Sequence, residues 1–474
     1  MPGGTANHLE YNRRSLLIAG GLSFCGFDLR RLLAAAPGQD SPARKIAKST
    51  IVIFLQGGAS HIDTWDMKPN APDQYREFSP IQTSAAGVLL CEHLPNLARQ
   101  AHHLAIVNSV GDNGLAAGGH HGGHYHQLTG HPPDSTFVSL GSDRKPQRDD
   151  WPFIGSVVAA KRPRHPYLPQ NIWLPQKAVE SGYVRPGQFA GRLGVQYDPV
   201  FLDGNLQRPF EFRVPALSLE SDMSVERLEN RRELLQSLDG AQRRFEHAAA
   251  GLLSQQQETA FTLLCSRQTK TALEVMREPQ SIRDKYGATV NGASLLMARR
   301  LVEASVPFVT VWWSDDLKAH DALKCLSAGN WDTHGNNFEC LKERLLPDFD
   351  RALAALLDDL HQRSLLDETL VLVTSEMGRQ PKIGDPRSGG ARGAGRDHWH
   401  HCMSVLLAGG GTRGGRTYGS SDRRAEFPAE KPVAPEHIAK TVYYAMGIDD
   451  LSAVSADGRP YNLLDEGHPI VELF

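Results

Sequence analysis

Five of the chain's 20 histidines lie between His120 and His131, interleaved with glycine. Imidazole is the commonest metal ligand and the side chain that titrates nearest neutral pH. Dispersed histidines would need no explanation; a cluster beside glycine asks for a chemical one. In the run from Gly114 to His124 the imidazoles, His120 and His121 first, fall where a helix is expected to start. A helix N-terminus is a natural anion site, because its first N–H groups point outward. A His-rich surface loop, or a satisfied structural network, is the plain alternative.

Four further segments offer ligand groups. Gln56-Gly57-Gly58-Ala59-Ser60-His61-Ile62-Asp63 supplies an imidazole and a carboxylate after two glycines. Those glycines let the backbone turn sharply or approach an anion closely. Alone, the segment reads as a strand-to-helix turn with capping polar residues. Asn330-Trp331-Asp332-Thr333-His334 has the Asp-x-His spacing that can put both groups on one metal. The competing role for Asp332 is to cap a helix starting near Asn336. Thr374-Ser375-Glu376-Met377-Gly378-Arg379 places a carboxylate at the end of an apolar run, where it is costly unless paired. Either a metal or Arg379 would be its partner. Gly395-Arg396-Asp397-His398-Trp399-His400-His401 offers Asp397 and His398 for direct ligation, with neighbours to orient them. Alternatively, one of these histidines only caps a strand.

These segments are positioned by short apolar or β-branched runs. The runs are Ser49–Leu55, Leu104–Val110, Asn171–Leu174, Val306–Trp313, Thr369–Ser375 and Cys402–Ala408. Between them, helical spacing recurs in Leu94–Ala101, Ser224–Leu253, Ser294–Glu303, Phe338–Leu360 and Ala434–Met446. Alternating strands and helices predict an α/β fold with a mainly parallel central sheet flanked by helices on both faces. Residues 219–271, rich in Glu, Arg, Gln and Leu, read as a helical insertion or cap. Residues 384–395 read as a flexible Gly/Arg/Ser loop.

Ligands of open α/β sheets bind outside the carboxyl ends of the strands. Most of the candidate groups follow strands, so they are expected to converge at one sheet edge. The metal-ligand set is His61, Asp63, Asp332, His334, Glu376, Asp397 and His398. Mixed His/Asp/Glu without Cys suits Zn²⁺, Mn²⁺ or Fe more than Ca²⁺. Imidazole argues against Mg²⁺ or Ca²⁺ alone. The expectation is one or two divalent ions, Zn or Mn.

Composition narrows the class. The chain has 474 residues, 40% of them hydrophobic, enough for one large domain or two ordinary ones. Its formal net charge of -3 and lack of a long Lys/Arg run argue against a nucleic-acid partner. Six cysteines without a CxxC pair exclude a four-Cys zinc site; one or two disulfides would suit an exported protein. Asn12-Arg13-Arg14-Ser15-Leu16-Leu17 opens a modest apolar run, Leu16 to Phe27, and the small residues Ala34, Ala35 and Ala36 follow before Pro37. This looks like a twin-arginine export signal over residues 1–36. It implies contact with that export machinery and a periplasmic or extracellular location. The apolar run is too short and Gly-rich to span a bilayer stably.

Taken together, the twin-Arg start, GGASHIDTWDMKP, GGHHGGHYHQLTGHPP, WDTHGNN, TSEMGRQPKI and GRDHWHH resemble the domain-of-unknown-function 1501 family. That family is itself similar to the alkaline phosphatase/sulfatase superfamily. The resemblance covers nearly the whole chain and implies an alkaline-phosphatase-like, sulfatase-like domain over 45–474. It implies one or two metals and cleavage of phosphate or sulfate esters. Asp332 and His334 would form the first metal pair, Glu376 would replace an Asp after a later strand, and His398 would supply the late His. His61 and Asp63 sit where the first-strand ligand is expected. Two departures stand out. The sulfatase nucleophile position falls on His120 without its Pro-x-Arg, and the usual Asp-His pair does not occur at Glu376-Met377.

The first functional expectation is therefore an exported metal-dependent hydrolase acting on a small-molecule or glycan ester. His120 or His121 would be general acid/base or nucleophile, and Arg379 would hold the anion. The alternatives are a secreted metal- or glycan-binding protein that has lost the nucleophile, and a metal-binding partner of another protein, docking through the helices near Arg227–Glu246.

Overall fold

β-Branched and apolar residues build the strands, and the six inner strands of the central sheet are buried on both faces. A computed structural model describes residues 46–112, 114–115, 119–180, 182–214, 266–315, 322–323, 325, 330–384, 395–455 and 458–474. The central sheet has eight strands: β1 (Ser49–Phe54), β2 (Leu104–Val110), β3 (Asn171–Leu174), β4 (Val200–Phe201), β5 (Phe308–Trp312), β6 (Thr369–Thr374), β7 (Met403–Ala408) and β8 (Arg416–Tyr418). Their order is β8-β2-β7-β6-β1-β5-β3-β4. All neighbours pair in parallel except β7, which runs antiparallel to both β6 and β2. The carboxyl ends of β1, β2, β5 and β6 thus share an edge with the amino end of β7.

Five helices cover the sheet: α1 (His120–Thr129), α2 (Ile154–Lys161), α3 (Val290–Glu303), α4 (Leu346–Gln362) and α5 (Pro435–Ala445). Alternation along each strand divides the core. Ile51, Ile53, Val309, Val311, Val371 and Val373 pack with Leu295 and Leu301 of α3 and Leu353, Leu356 and Leu360 of α4. Val52, Phe54, Trp312, Leu370 and Leu372 pack with Leu128 of α1, Val157 of α2 and Ile438 and Val442 of α5. Strand side chains point to opposite faces in turn, so two helix layers enclose one sheet. Each fully buried Leu, Ile or Val contributes about 2 kcal/mol relative to exposure.

The expected strands all form, with bounds shifted by up to two residues. The edge strands β4 and β8 are additions. The helix expected over Phe338–Leu360 is interrupted by a π-helical turn at Leu341–Leu345 before α4. Lys45–Phe474 forms one compact unit. The proposed signal (1–36), nearly all of the proposed insertion (about 219–271) and most of the 384–395 loop lie outside the described residues; the end of the insertion, Arg267–Leu273, is helical. Among the described residues no helix is long and apolar enough to cross a membrane. Cys325 and Cys340 form a disulfide, while Cys91 and Cys402 are free and buried.

Candidate metal centre

The turn after β1 organises the site. Gly57 and Gly58 have φ of 114° and 97°, a region that favours glycine. A Cβ on Gly57 would lie 2.1 Å from the Asp332 nitrogen. The glycine therefore lets the backbone of Trp331-Asp332 lie against the turn, where Trp331 N–H donates to the Gln56 carbonyl at 2.8 Å. Gly57 N–H donates to Glu376 Oε1 at 2.7 Å. One glycine turn thus fixes both carboxylates. The close approach it permits is to the chain's own backbone.

From the other side comes α1. His120 and His124 lie four residues apart on one face of this helix, and Gly123 between them packs on Glu376. Here a Cβ would lie 2.6 Å from the Glu376 carbonyl oxygen. His120 Nδ1 is 2.8 Å from Glu376 Oε1, and its Nε2 is 3.5 Å from Asp332 Oδ1. His124 Nε2 is 3.2 Å from Glu376 Oε1, but neither of its fully buried ring nitrogens makes a hydrogen bond.

His398 arrives on a short hairpin, in which His398-Trp399 pairs with Gly378-Arg379 just after Glu376. Because β7 is reversed, the residues leading into it reach the same edge as those leaving the other strands. His398 Nε2 is 3.2 Å from Asp332 Oδ1, and His334 Nε2 is 3.1 Å from the same oxygen. His334 Nδ1 is 3.7 Å from Asp397 Oδ1. Two sets of ligand atoms are close enough for one ion each: His120, Asp332 and His398, and His334, Asp397 and His398. His398 belongs to both.

Electrostatics follow from this crowding. Burial would push the Asp332 and Glu376 carboxyls up. Arg379 and three histidines instead hold Asp332 well below the usual range, and His124 and His120 do the same for Glu376. Burial would lower His120, yet hydrogen bonds with Asp332 and Glu376 raise it to about 9. His398 and His124 are lowered to about 4, chiefly by burial. Several imidazoles converging on one carboxylate oxygen, with the buried His124 ring beside Glu376 but not hydrogen-bonded to it, fit a bound divalent cation in their chemistry.

Four expected site residues take other places. Asp63 is not among the converging groups: it binds Arg396 through both oxygens at 2.7 and 2.8 Å and accepts from Ser60 and Asn337. It fixes the residue just before Asp397-His398. His61 is fully buried, with Nε2 2.9 Å from the Ala425 carbonyl oxygen and its ring against Gly378. It supports the hairpin from beneath. His121 is turned about 100° from His120 around the helix and meets Arg185 instead of the carboxylates. Arg379 is fully buried and spends its guanidinium on the carbonyls of Gly58, Gly57, Trp331 and Arg396 and on the Asp332 carboxylate. It positions Asp332, and these contacts take up the guanidinium that was expected to hold an anion. The Glu376–Arg379 pair considered above is replaced by Glu376–His120 and Asp332–Arg379.

Sequence reasoning omitted His124 and Arg185. The four-residue spacing of His120 and His124 on an expected helix could have revealed the first. Nothing local to Arg185 marks it.

Fold and cluster define a class: an α/β protein with a mixed His/carboxylate centre at the carboxyl edge of a mostly parallel sheet. Residues 47–474 match the family model described as "Protein of unknown function (DUF1501)", and the chain belongs to that family. No curated protein matches it. Among solved structures it is similar to a Bacteroides thetaiotaomicron protein described under metabolism of multiple glycosaminoglycans, at 10% identity and a TM-score of 0.42, covering 85% of this chain and 73% of that one. A variant of the alkaline phosphatase PafA gives 11% identity and 0.40, covering 92% and 100%. The PsFucS1 sulfatase from Pseudoalteromonas sp. gives 13% identity and 0.38, covering 93% and 73%.

Proposed function

We propose that the chain is an exported, metal-dependent hydrolase of phosphate or sulfate esters. The observation that carries this reading is the shared position of His398 between two three-residue ligand sets. That arrangement suits one or two divalent ions, Zn or Mn, held by His120, Asp332, His334, Asp397 and His398. Glu376, with His120 and His124 beside it, would complete the set. The ester class comes from the motif resemblance to the alkaline phosphatase/sulfatase superfamily.

A divalent ion at this edge would polarise an ester oxygen and acidify a bound water. The protein's own part is positional. Arg379 and the Gly57 turn hold Asp332 rigid, and Asp63 holds Arg396 ahead of Asp397-His398. His120 stands over the cluster with its side chain 11% exposed, placed as general acid/base or as nucleophile. Its hydrogen bond to Glu376 fixes the ring orientation. Export is supported by the twin-Arg motif and by the Cys325–Cys340 disulfide, which suits an oxidising compartment.

A non-catalytic metal- or glycan-binding protein is the second reading, favoured by His120 at the superfamily's nucleophile position. Metal analysis of purified protein, followed by hydrolysis assays on aryl phosphates and aryl sulfates with Zn²⁺ or Mn²⁺, tests both. Metal with turnover supports the hydrolase. Metal without turnover on any ester supports the binding protein, and absence of metal from the folded chain rejects the hydrolase and leaves only a metal-free glycan-binding protein.

A further inference from the structure

We infer that His120 serves this centre as a metal ligand through Nε2, with Glu376 as the positioning residue that fixes it there by accepting its Nδ1–H; this rests on the metal-centre reading. Three roles are open to His120: ligand, general acid/base and nucleophile. The distances around its ring separate them. Nδ1 stands 2.8 Å from Glu376 Oε1, an ordinary hydrogen-bond length. Nε2 stands 3.5 Å from Asp332 Oδ1, beyond that range. Two ligands each about 2.1 Å from one tetrahedral ion lie about 3.4 Å apart. Asp332 Oδ1 is also 3.2 Å from His398 Nε2, so both separations around that oxygen suit a shared ion. His120, Asp332 and His398 form one of the two sets that a single ion could reach, and Glu376 belongs to neither.

Proton placement agrees. A carboxylate only accepts, so Nδ1 carries the hydrogen, and the neutral ring keeps its lone pair on Nε2. Glu376 is engaged by the protein's own donors. Its Oε1 also accepts from Gly57 N–H at 2.7 Å, and Ser375 Oγ lies 3.1 Å from its Oε2. Its side chain is buried, and Gly123 lets the start of α1 lie on the Glu376 backbone, so the couple is held from both sides. In such a couple an outer carboxylate sets the tautomer of a ligating imidazole and raises its basicity. With Nδ1–H given to Glu376 and Nε2 given to an ion, His120 has no nitrogen left to bond phosphorus or sulfur, or to carry a proton for the ester. The first residue of α1 then belongs to the metal and not to the substrate.

Co²⁺ titration of the full chain, followed by visible absorption and by proton spectra in water, tests the inference. A ring that ligates through Nε2 carries an exchangeable Nδ1–H near the paramagnetic ion, and that proton is strongly shifted. The expected result is one such signal that is lost in His120→Gln and in His120→Asn, with weaker Co²⁺ binding in both. Glu376→Gln should keep the visible band of the parent, because no ligand leaves, while weakening Co²⁺ about tenfold or more. If Glu376→Gln does not fold, as judged by circular dichroism, the His120 variants decide alone. A band that Glu376→Gln alters as much as His120→Gln does makes Glu376 a ligand and overturns the proposal. Parent-like affinity and an unchanged set of shifted signals in folded His120→Gln overturn it too, as does a phosphoryl adduct on His120 after incubation with an aryl phosphate. A folded parent that takes up no Co²⁺ rejects the metal-centre reading and the inference together. A His120-dependent signal in a protein without turnover upholds the inference and removes only the hydrolase.

Discussion

His334 Nε2 and His398 Nε2 stand 3.0 Å apart, and both aim at Asp332 Oδ1. Because only His398 belongs to both ligand sets, its loss should be felt twice. His398→Ala is expected to lower bound metal to a small fraction of the parent value. Asp397→Ala, which touches one set, should leave the ion held by His120, Asp332 and His398. Elemental analysis of dialysed, folded protein checks the difference; equal losses would remove the shared role.

Arg379 reaches Asp332 and the Gly57-Gly58 turn from full burial. Arg379→Met should cost about 3 kcal/mol or more, because it leaves a buried carboxylate without its cation. Stability and metal retention should fall together in denaturant titrations monitored with metal content. A variant of parent stability that loses only anion affinity would return Arg379 to the anion-holding role.

Gly57→Ala should cost about 3 kcal/mol, since the new methyl group would strike the Asp332 backbone at a positive φ. Gly87 provides the control. It also has positive φ, at 81°, but nothing lies within 4 Å of its missing Cβ, so Gly87→Ala should cost about 1 kcal/mol. Urea midpoints compare the two, and similar losses would mean that strain, not the Asp332 contact, dominates at Gly57.

Glu278 pairs with Arg299 and Arg300 beside α3. Burial would raise its carboxyl, but the two guanidiniums hold it below the ordinary value. A depressed folded pKa stabilises the fold above the unfolded pKa, and that contribution is lost as pH falls through the folded value. Glu278→Gln should therefore lower the melting temperature at neutral pH and flatten its fall on acidification. Parallel acid limbs for parent and variant would dismiss the effect.

The Cys325–Cys340 bridge, with a sequence separation of 15, encloses Asp332 and His334. Reduction should cost about 3 kcal/mol through the freed loop. It should also weaken metal binding by releasing those two ligands from a fixed path. Competition with a chelating dye, with and without reductant, measures this; the double serine variant should match the reduced protein.

Much of this was legible in the sequence because strand periodicity and polar strand ends are local signals. The strand-forming runs marked the sheet edge, and Asp332, His334, Glu376, Asp397 and His398 followed from it. The exchange of partners was not legible. Asp63 and Arg396 are 333 positions apart, and only the folded chain shows that they satisfy each other. His121 was misplaced because adjacency along a chain differs from adjacency on a helix face.

The reversal of β7 also governs assembly. This strand lies between β2 and β6, antiparallel to both, with the His398 hairpin at its head. Other contacts at the centre already span 256 and 319 positions, and closing such long loops is slow. An ion bound at the proposed centre would therefore report that this inner strand is seated.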